Sequence, residues 1–344
     1  MNTKDFKGIL RSVKRQYKLL FGKLSILCIG QLSRIIGSRI VLAFNATAAT
    51  DGTGAQIQRL LSVRACAAYL DMNYKHNDIQ TISVHPLDPF QTQSELEAFL
   101  KLLNNRFHMD STPGYVPASI TRRYKSLNLL QLVRAMVQST LTTKVIELEI
   151  LDAYAITEYV DLTKYDFADF LPNYYSNSAP RMAGNTRHIV VHYRQGVGGY
   201  AIYPGQNIPR EIDFKNFVPR IQKLVNSYKH ECKITVLTDA PSHEIQYVPL
   251  EQQKVLWEGS PNYEAGSMRI SGKDFSVQLS EFGVPYNIIS GGSPLEAIVA
   301  MSNADFLLMS RSSLSYVGAL LNRDGLVFYP PQFWHRSLKN WKPL

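Results

Sequence analysis

The stretch ADFLLMSRSSLSYVGALLN, residues 304–322, begins as an apolar strand and ends as an apolar helix. Ser310, Arg311, Ser312, Ser313 and Ser315 crowd the handover between them. A helix start leaves backbone N–H groups unpaired, and serine caps them well. The same N–H groups, with hydroxyls and a guanidinium nearby, also suit a phosphate. A capped helix and an anion site therefore stand as two readings of one segment. Either way it is a strand–turn–helix unit.

The same rhythm extends outward in both directions. HIVVHYR reads as a strand, DFKNFVPRIQKLVNSY as a helix and CKITVLTD as a strand. PYNIIS, SPLEAIVAMSNA and GLVFYP continue as strand, helix and strand. Short strands separated by helices predict a parallel sheet covered on both faces. Nearer the start, RIVLAFNA is a strand, TAATDGTGAQ a glycine loop and IQRLLSVRACAAYLDM a helix. Strand, glycine loop and helix open a doubly wound α/β domain. TISVHPLDPF reads as a short strand, and SELEAFLKLLNNRF as a helix opened by a Ser94–Glu97 capping box. SLNLLQLVRAMVQSTL is a further helix, and KVIELEIL alternates like a strand. The Pro, Gly, Asn and Ser of NSAPRMAGNT, residues 176–185, mark a domain boundary. The expected division is thus a segment 1–40, a domain 41–180 and a domain 181–344.

A chain of 344 residues suits two domains of roughly 150 each. Hydrophobic content of 45% with 19% charged residues describes a folded globular protein. Three cysteines without metal-ligand spacing point to a reducing compartment. The net charge of +9 is partly concentrated in the first 23 residues, where Asp5 is the only acid. Leu10, Val13, Tyr17, Leu20 and Phe21 recur there among the lysines and arginines at helix-face spacing. Residues 4–23 thus read as a basic amphipathic helix, either solvated on the protein body or resting on an anionic membrane surface. Arg34 and Arg39 interrupt the next apolar stretch below the ~18–20 residues a bilayer needs. No signal-peptide pattern is present. The expectation is a cytoplasmic protein, either free or peripheral on the inner face of the membrane. No zinc finger, RNP-like motif or basic-aromatic stripe suggests nucleic acid as a partner.

In open α/β sheets, ligands bind outside the carboxyl ends of the strands. Asp51, Gly52, Gly54 and Gln56 follow the first strand, with Arg59 just beyond them. His192, Arg194 and Gly196 end HIVVHYRQG, and Thr238 and Asp239 end ITVLTD. Ser310, Arg311, Ser312 and Ser313 end DFLLMS. Together they describe a diphosphate pocket: arginine as a bidentate clamp, glycine for close backbone approach, serine hydroxyls for the remaining acceptors. Asp239 is placed to accept from ribose hydroxyls. Each piece also has a plainer reading. DGTG suits a tight turn, Arg194 a surface ion pair, His192 a hydrogen-bonded core position and Asp239 a helix cap.

VVHYRQG resembles the H-x-R-x-G strand of the fucosyltransferase superfamily, which includes α-1,2-, α-1,6- and protein O-fucosyltransferases. ITVLTDAPSHE is similar to that family's strand ending in Thr-Asp before a helix. MSNADFLLMSRSSLSYVGALLN resembles its S-x-A-D-F-L-I-x-S-N-S-S-F-S-W-W-G-A-W-L-N segment. DGTGAQIQRLLSVRACAAYL is similar to its G-x-G-N-Q-x-F-Q segment. The four occur in the family's order across residues 51–322. The resemblance implies a GT-B fold: two Rossmann-like doubly wound domains facing a cleft, acceptor side first and donor side second. It also implies metal-independent, inverting transfer of a sugar, with GDP-fucose the first donor to test. The expected setting is bacterial surface polysaccharide synthesis on a glycan or lipid-linked glycan acceptor. Arg194 matches the arginine that clamps the β-phosphate, and His192 and Gly196 match its companions. Ser312 and Ser313 match the serines lying against the phosphates, and Asp239 matches the Thr-Asp acid. The absence of a D-x-D motif agrees with the metal-independent expectation.

The departures concern the base and the acids. Where the family often reads R-R-G-D, this chain has Gln195-Gly196-Val197 after Arg194. The position of the guanine-reading aspartate holds Ala297, with Glu296 adjacent, and the tryptophan pair is Tyr316-Val317. Another nucleoside diphosphate sugar, a CMP-linked sugar or a non-catalytic binding module is therefore the alternative. Asp51 is the first candidate for the catalytic base, followed by Glu211 and Asp213.

Overall fold

The computed structural model describes residues 28, 30–31, 39–45, 52–82, 93–108, 120–154, 186–194, 200–203, 206–209, 212–228, 231–240, 245–247, 263–264, 267–270, 274–331, 333, 335 and 337–344. The basic segment 4–23, the boundary segment 176–185, and Asp51, Gly196 and Glu211 lie outside them. The chain forms two compact units. Unit 1 comprises Met1–Ala49, Arg59–Gln80 and Asn104–Tyr165; unit 2 comprises Thr50–Gln58, Thr81–Leu103 and Asp166–Leu344. The fold is α/β with parallel sheets, as the strand–helix rhythm predicts.

Unit 1 is built on β1 (Ile40–Phe44), β2 (Asn73–Lys75), β3 (Ile120–Ser126) and β4 (Ile146–Asp152), all parallel, in the order β2-β1-β4-β3. Every residue of β1 is buried, as a central strand of a covered sheet requires. Helix α1 (Thr53–Leu70) follows β1, and α2 (Gln93–His108) and α3 (Leu129–Thr142) follow β2 and β3. Because α2 already begins at Gln93, Ser94 stands inside the first turn and not at the expected cap. A capping box does open α3: Asn128 accepts from the Gln131 amide at 3.0 Å, and Gln131 accepts from the Asn128 amide at 2.8 Å. Thr81 and Ile82 are irregular where a strand is expected, and the rest of that stretch lies outside the described residues.

Unit 2 holds β5 (Arg187–Tyr193), the antiparallel pair β6 (Tyr200–Tyr203) and β7 (Gln206–Pro209), α4 (Val218–Ser227) and β8 (Cys232–Thr238). A small antiparallel sheet follows, of β9 (Ile245–Tyr247), β10 (Tyr263–Glu264) and β11 (Ser267–Ile270). Then come α5 (Ser276–Ser280), β12 (Tyr286–Ser290), α6 (Pro294–Ser302), β13 (Phe306–Leu308), α7 (Ser313–Leu321), β14 (Leu326–Tyr329) and β15 (Lys342–Pro343). The main sheet is parallel throughout and runs β12-β8-β5-β13-β14-β15. Counted along the chain this is the 3-2-1-4-5-6 order of dinucleotide-binding sheets. The direction of winding reverses between β5 and β13.

DFKNFVPRIQKLVNSY does not form one helix. A 3-10 turn at Phe214–Asn216 precedes α4, whose first turn carries Pro219. Proline lacks the N–H and is accepted only in a first turn, so the helix begins there. Tyr193 anchors the core under this turn, meeting Phe214, Phe217 and Phe275 edge-on at 4.8–6.2 Å. At the far end of α7, Asn322 is buried and holds three backbone groups. Its Nδ2 donates to the Met301 and Ala304 carbonyls at 2.9 Å, and its Oδ1 accepts from the Gly325 amide at 2.7 Å.

Candidate anion-binding site

Parallel pairing sets Tyr193 of β5 beside Thr238 of β8. The next residue on each strand leaves the sheet at the same edge, so Arg194 and Asp239 emerge together. Arg194 Nε lies 3.8 Å from Asp239 Oδ2, with both side chains less than a quarter exposed. On the other flank β5 pairs with β13, which ends at Leu308 and releases residues 309–312 toward the same edge. Arg194 Nη1 points at Ser312 Oγ, 3.5 Å away. Ser312 is also the N-cap of α7, accepting from the Leu314 amide at 3.2 Å. One hydroxyl therefore serves both readings of the serine cluster. Ser315 Oγ donates to the Ser310 and Ser312 carbonyls, each at 3.0 Å, and pins the turn.

His192 is buried, and its Nδ1 shares a 2.6 Å hydrogen bond with Ser310 Oγ. Loss of solvent pulls its pKa down to about 4, with the Arg194 charge acting the same way and Asp239 opposing. The imidazole is neutral at pH 7 and positions Ser310. The core-histidine reading holds for its packing.

A second helix start joins this edge from within unit 2. The Gly52 carbonyl accepts from the Ala55 and Gln56 amides at 3.0 and 3.2 Å and opens α1. A Cβ placed on Gly54 would stand 2.5 Å from the Leu314 nitrogen and 2.6 Å from its Cα. Only glycine permits that approach. The positive ends of α1 and α7 thus abut, with Arg194 adjoining through Ser312. Thr53 is 4% exposed, and its Oγ1 has no hydrogen-bond partner among the described residues. Two like dipole ends with a guanidinium beside them form an electropositive edge of the kind that suits an anion.

The remaining expected residues divide. Ser313, the first residue of α7, is half-exposed at the site. Gln56 is buried, and its Nε2 donates to the Thr81 carbonyl at 2.6 Å, a backbone tie. Arg59 is half-exposed and belongs to unit 1. Glu296 is exposed on the first turn of α6. Among the described residues no hydrogen bond or ion pair joins it to Arg194, His192 or the serines. Asp213 caps the 3-10 turn through the Lys215 amide at 3.0 Å and pairs with its ammonium at 3.1 Å. Arg311 points elsewhere: it is buried, and its Nε donates to the Pro331 carbonyl at 3.0 Å. Thr53, buried at the start of α1, was not among the expected residues. Its only sequence signal is its place between two glycines.

Among the described residues no group of three or more His, Cys, Asp or Glu is arranged to hold a metal ion. Nor is any described helix long and apolar enough to cross a membrane. Set against protein-family models, curated proteins and solved structures, the chain matches none of them.

Proposed function

We propose that this chain is a GT-B glycosyltransferase that binds a nucleotide sugar and transfers its sugar to a glycan acceptor. The observation that carries the reading is the Arg194 guanidinium facing Ser312 Oγ at the switch point of a 3-2-1-4-5-6 sheet. In this reading the domain 41–180 receives the acceptor and the domain 181–344 holds the donor. Arg194 clamps the β-phosphate in bidentate fashion, and the amino ends of α1 and α7 face the phosphates. Charge developing on the departing diphosphate is met by groups already in place. Asp239 holds Arg194 on one side and meets the ribose on the other. Fucose is the first sugar to test and GDP-fucose the first donor. The acceptor is a glycan or lipid-linked glycan of a bacterial surface polysaccharide, met at the cytoplasmic face of the membrane with the help of residues 4–23. Transfer proceeds without added divalent metal. Asp51 is the first candidate for the base.

A non-catalytic nucleotide-binding module is the second reading. It is favoured by the described carboxylates: Asp239 faces Arg194, and Asp213 is spent on a cap. Calorimetry with GDP, UDP, ADP and CMP, followed by turnover of the matching sugar nucleotides in EDTA, separates the two. The transferase reading expects binding and turnover. It also expects Arg194→Ala to weaken nucleotide binding ~10- to 100-fold, the worth of a charge-assisted contact. Full affinity in Arg194→Ala would overturn the phosphate site, and binding without turnover would favour the module.

A further inference from the structure

The opposite end of the same sheet carries a second pocket, of about 420 Å³. It opens at Phe306 and Leu326, the first residues of β13 and β14, whereas the Arg194 site lies at the strands' carboxyl ends. Its walls are apolar: Leu224 and Tyr228 at the end of α4, with Phe306, Leu326 and Phe328 from the sheet. Tyr228 and Phe306 pack at 5.1 Å between ring centres.

The rim is cationic. Arg220 is fixed there, donating to the Pro343 carbonyl at 3.0 Å with its guanidinium 4.6 Å above the Phe328 ring. Lys223 and Lys342 are exposed beside it, and neither ion-pairs with a described residue. No aspartate or glutamate lines the pocket. The acid nearest in sequence, Asp305, does not line the pocket and is neutralised by Arg187 at 3.2 Å while accepting from the His188 amide at 2.8 Å. Three cations over an aromatic floor repel one another until an anion enters, and the floor rewards an apolar body.

We infer that this pocket binds an amphiphilic anion, with its phosphate or carboxylate between Arg220, Lys223 and Lys342 and its apolar part against Phe306, Leu326 and Phe328. A second copy of the chain is a poor occupant, because matching mouths would set cations against cations. The ligand is either a free small molecule or the headgroup end of a membrane lipid.

Calorimetry on the full chain uses decyl phosphate below its micelle-forming concentration, with decanol and inorganic phosphate as the two halves of the ligand. Decyl phosphate is expected to bind saturably, and each half at least ~tenfold more weakly, since head and body contribute separately. The K223E/K342E variant changes only exposed side chains and is expected to lose ~tenfold or more in affinity, with K223Q/K342Q between it and the parent. Both variants keep nucleotide binding, and Arg194→Ala keeps decyl phosphate binding, so the two sites fail independently. Flotation with phosphatidylcholine vesicles containing phosphatidic acid then assigns the source. Vesicle binding lost in K223E/K342E points to a lipid; vesicle binding unchanged points to a free ligand. Absence of saturable decyl phosphate binding, or equal affinity in the folded charge-reversed variant, overturns the proposal.

Discussion

His188 and His192 point to different partners from one strand, and both stay neutral well below the usual imidazole range. His188 Nε2 meets Thr235 Oγ1 at 2.8 Å, and burial first, then Lys233, lowers its pKa to about 4. His192 reaches about 4 mainly through burial as well. In the unfolded chain each protonates near 6.5. Between about 6.5 and 4 the unfolded chain therefore binds more protons, and the folded chain loses stability as the pH falls through that window. Above it the contribution is complete and flat. Each imidazole adds a slope of up to about 1.4 kcal/mol per pH unit. Urea unfolding across this range is expected to show the slope, and His188→Asn to remove one imidazole's share. An unchanged slope in that variant would contradict the assignment. At this scale the sequence showed Arg194, Ser310 and Ser312 at strand ends, because strand ends are local. It did not show that Gly54 exists for Leu314, since that contact joins distant segments and leaves no local pattern.

Helices were legible where one face is apolar and the other is not, and covered strands from unbroken apolar runs such as Ile40–Phe44. Helix α3 breaks that rule. Leu132, Ala135, Met136 and Ser139 are buried, yet Leu130, Val133, Val137 and Leu141 face outward at 41–79% exposure. Periodicity finds this helix without saying which side packs. Leu132→Ala is expected to cost about 2–5 kcal/mol through lost burial and a cavity. Leu141→Ala is expected to stay within about 0.5 kcal/mol, because its side chain already meets water. Denaturant midpoints of the two variants test which face is inside, and equal losses would contradict the packing. Strand β3, ITRRYKS, escaped notice for the converse reason. It pairs only with β4 at the sheet edge and carries polar residues on both faces. Arg123 there pairs with Glu149 at 2.6 Å, and Arg122 donates to Gln138, so the strand is held without an apolar run.

Across the whole chain, rhythm revealed parallel α/β structure but could not reveal strand order. Whether a crossover turns left or right of β5 depends on packing between elements far apart in sequence. The order that results, with β5 beside β13, is what gathers Arg194, His192 and Ser310–Ser312 at one edge. The same long-range logic governs the division into units. Unit 2 draws Thr50–Gln58 and Thr81–Leu103 from the first third of the chain, and the start of α1 meets Leu314 at the candidate anion site through Gly54. A fragment 186–344 keeps all six strands of the main sheet but loses both insertions. It uncovers Leu314 and removes one of the two helix starts at the site. The fragment is therefore expected to melt below the full chain. It is also expected to bind the nucleotide found by calorimetry at least ~tenfold more weakly, about the worth of a favourably placed helix terminus. Thermal melting and calorimetry of fragment and full chain side by side make the test. Full affinity in the fragment would mean that the α7 side, with Arg194, suffices for the anion and that the abutting helix start contributes nothing to binding.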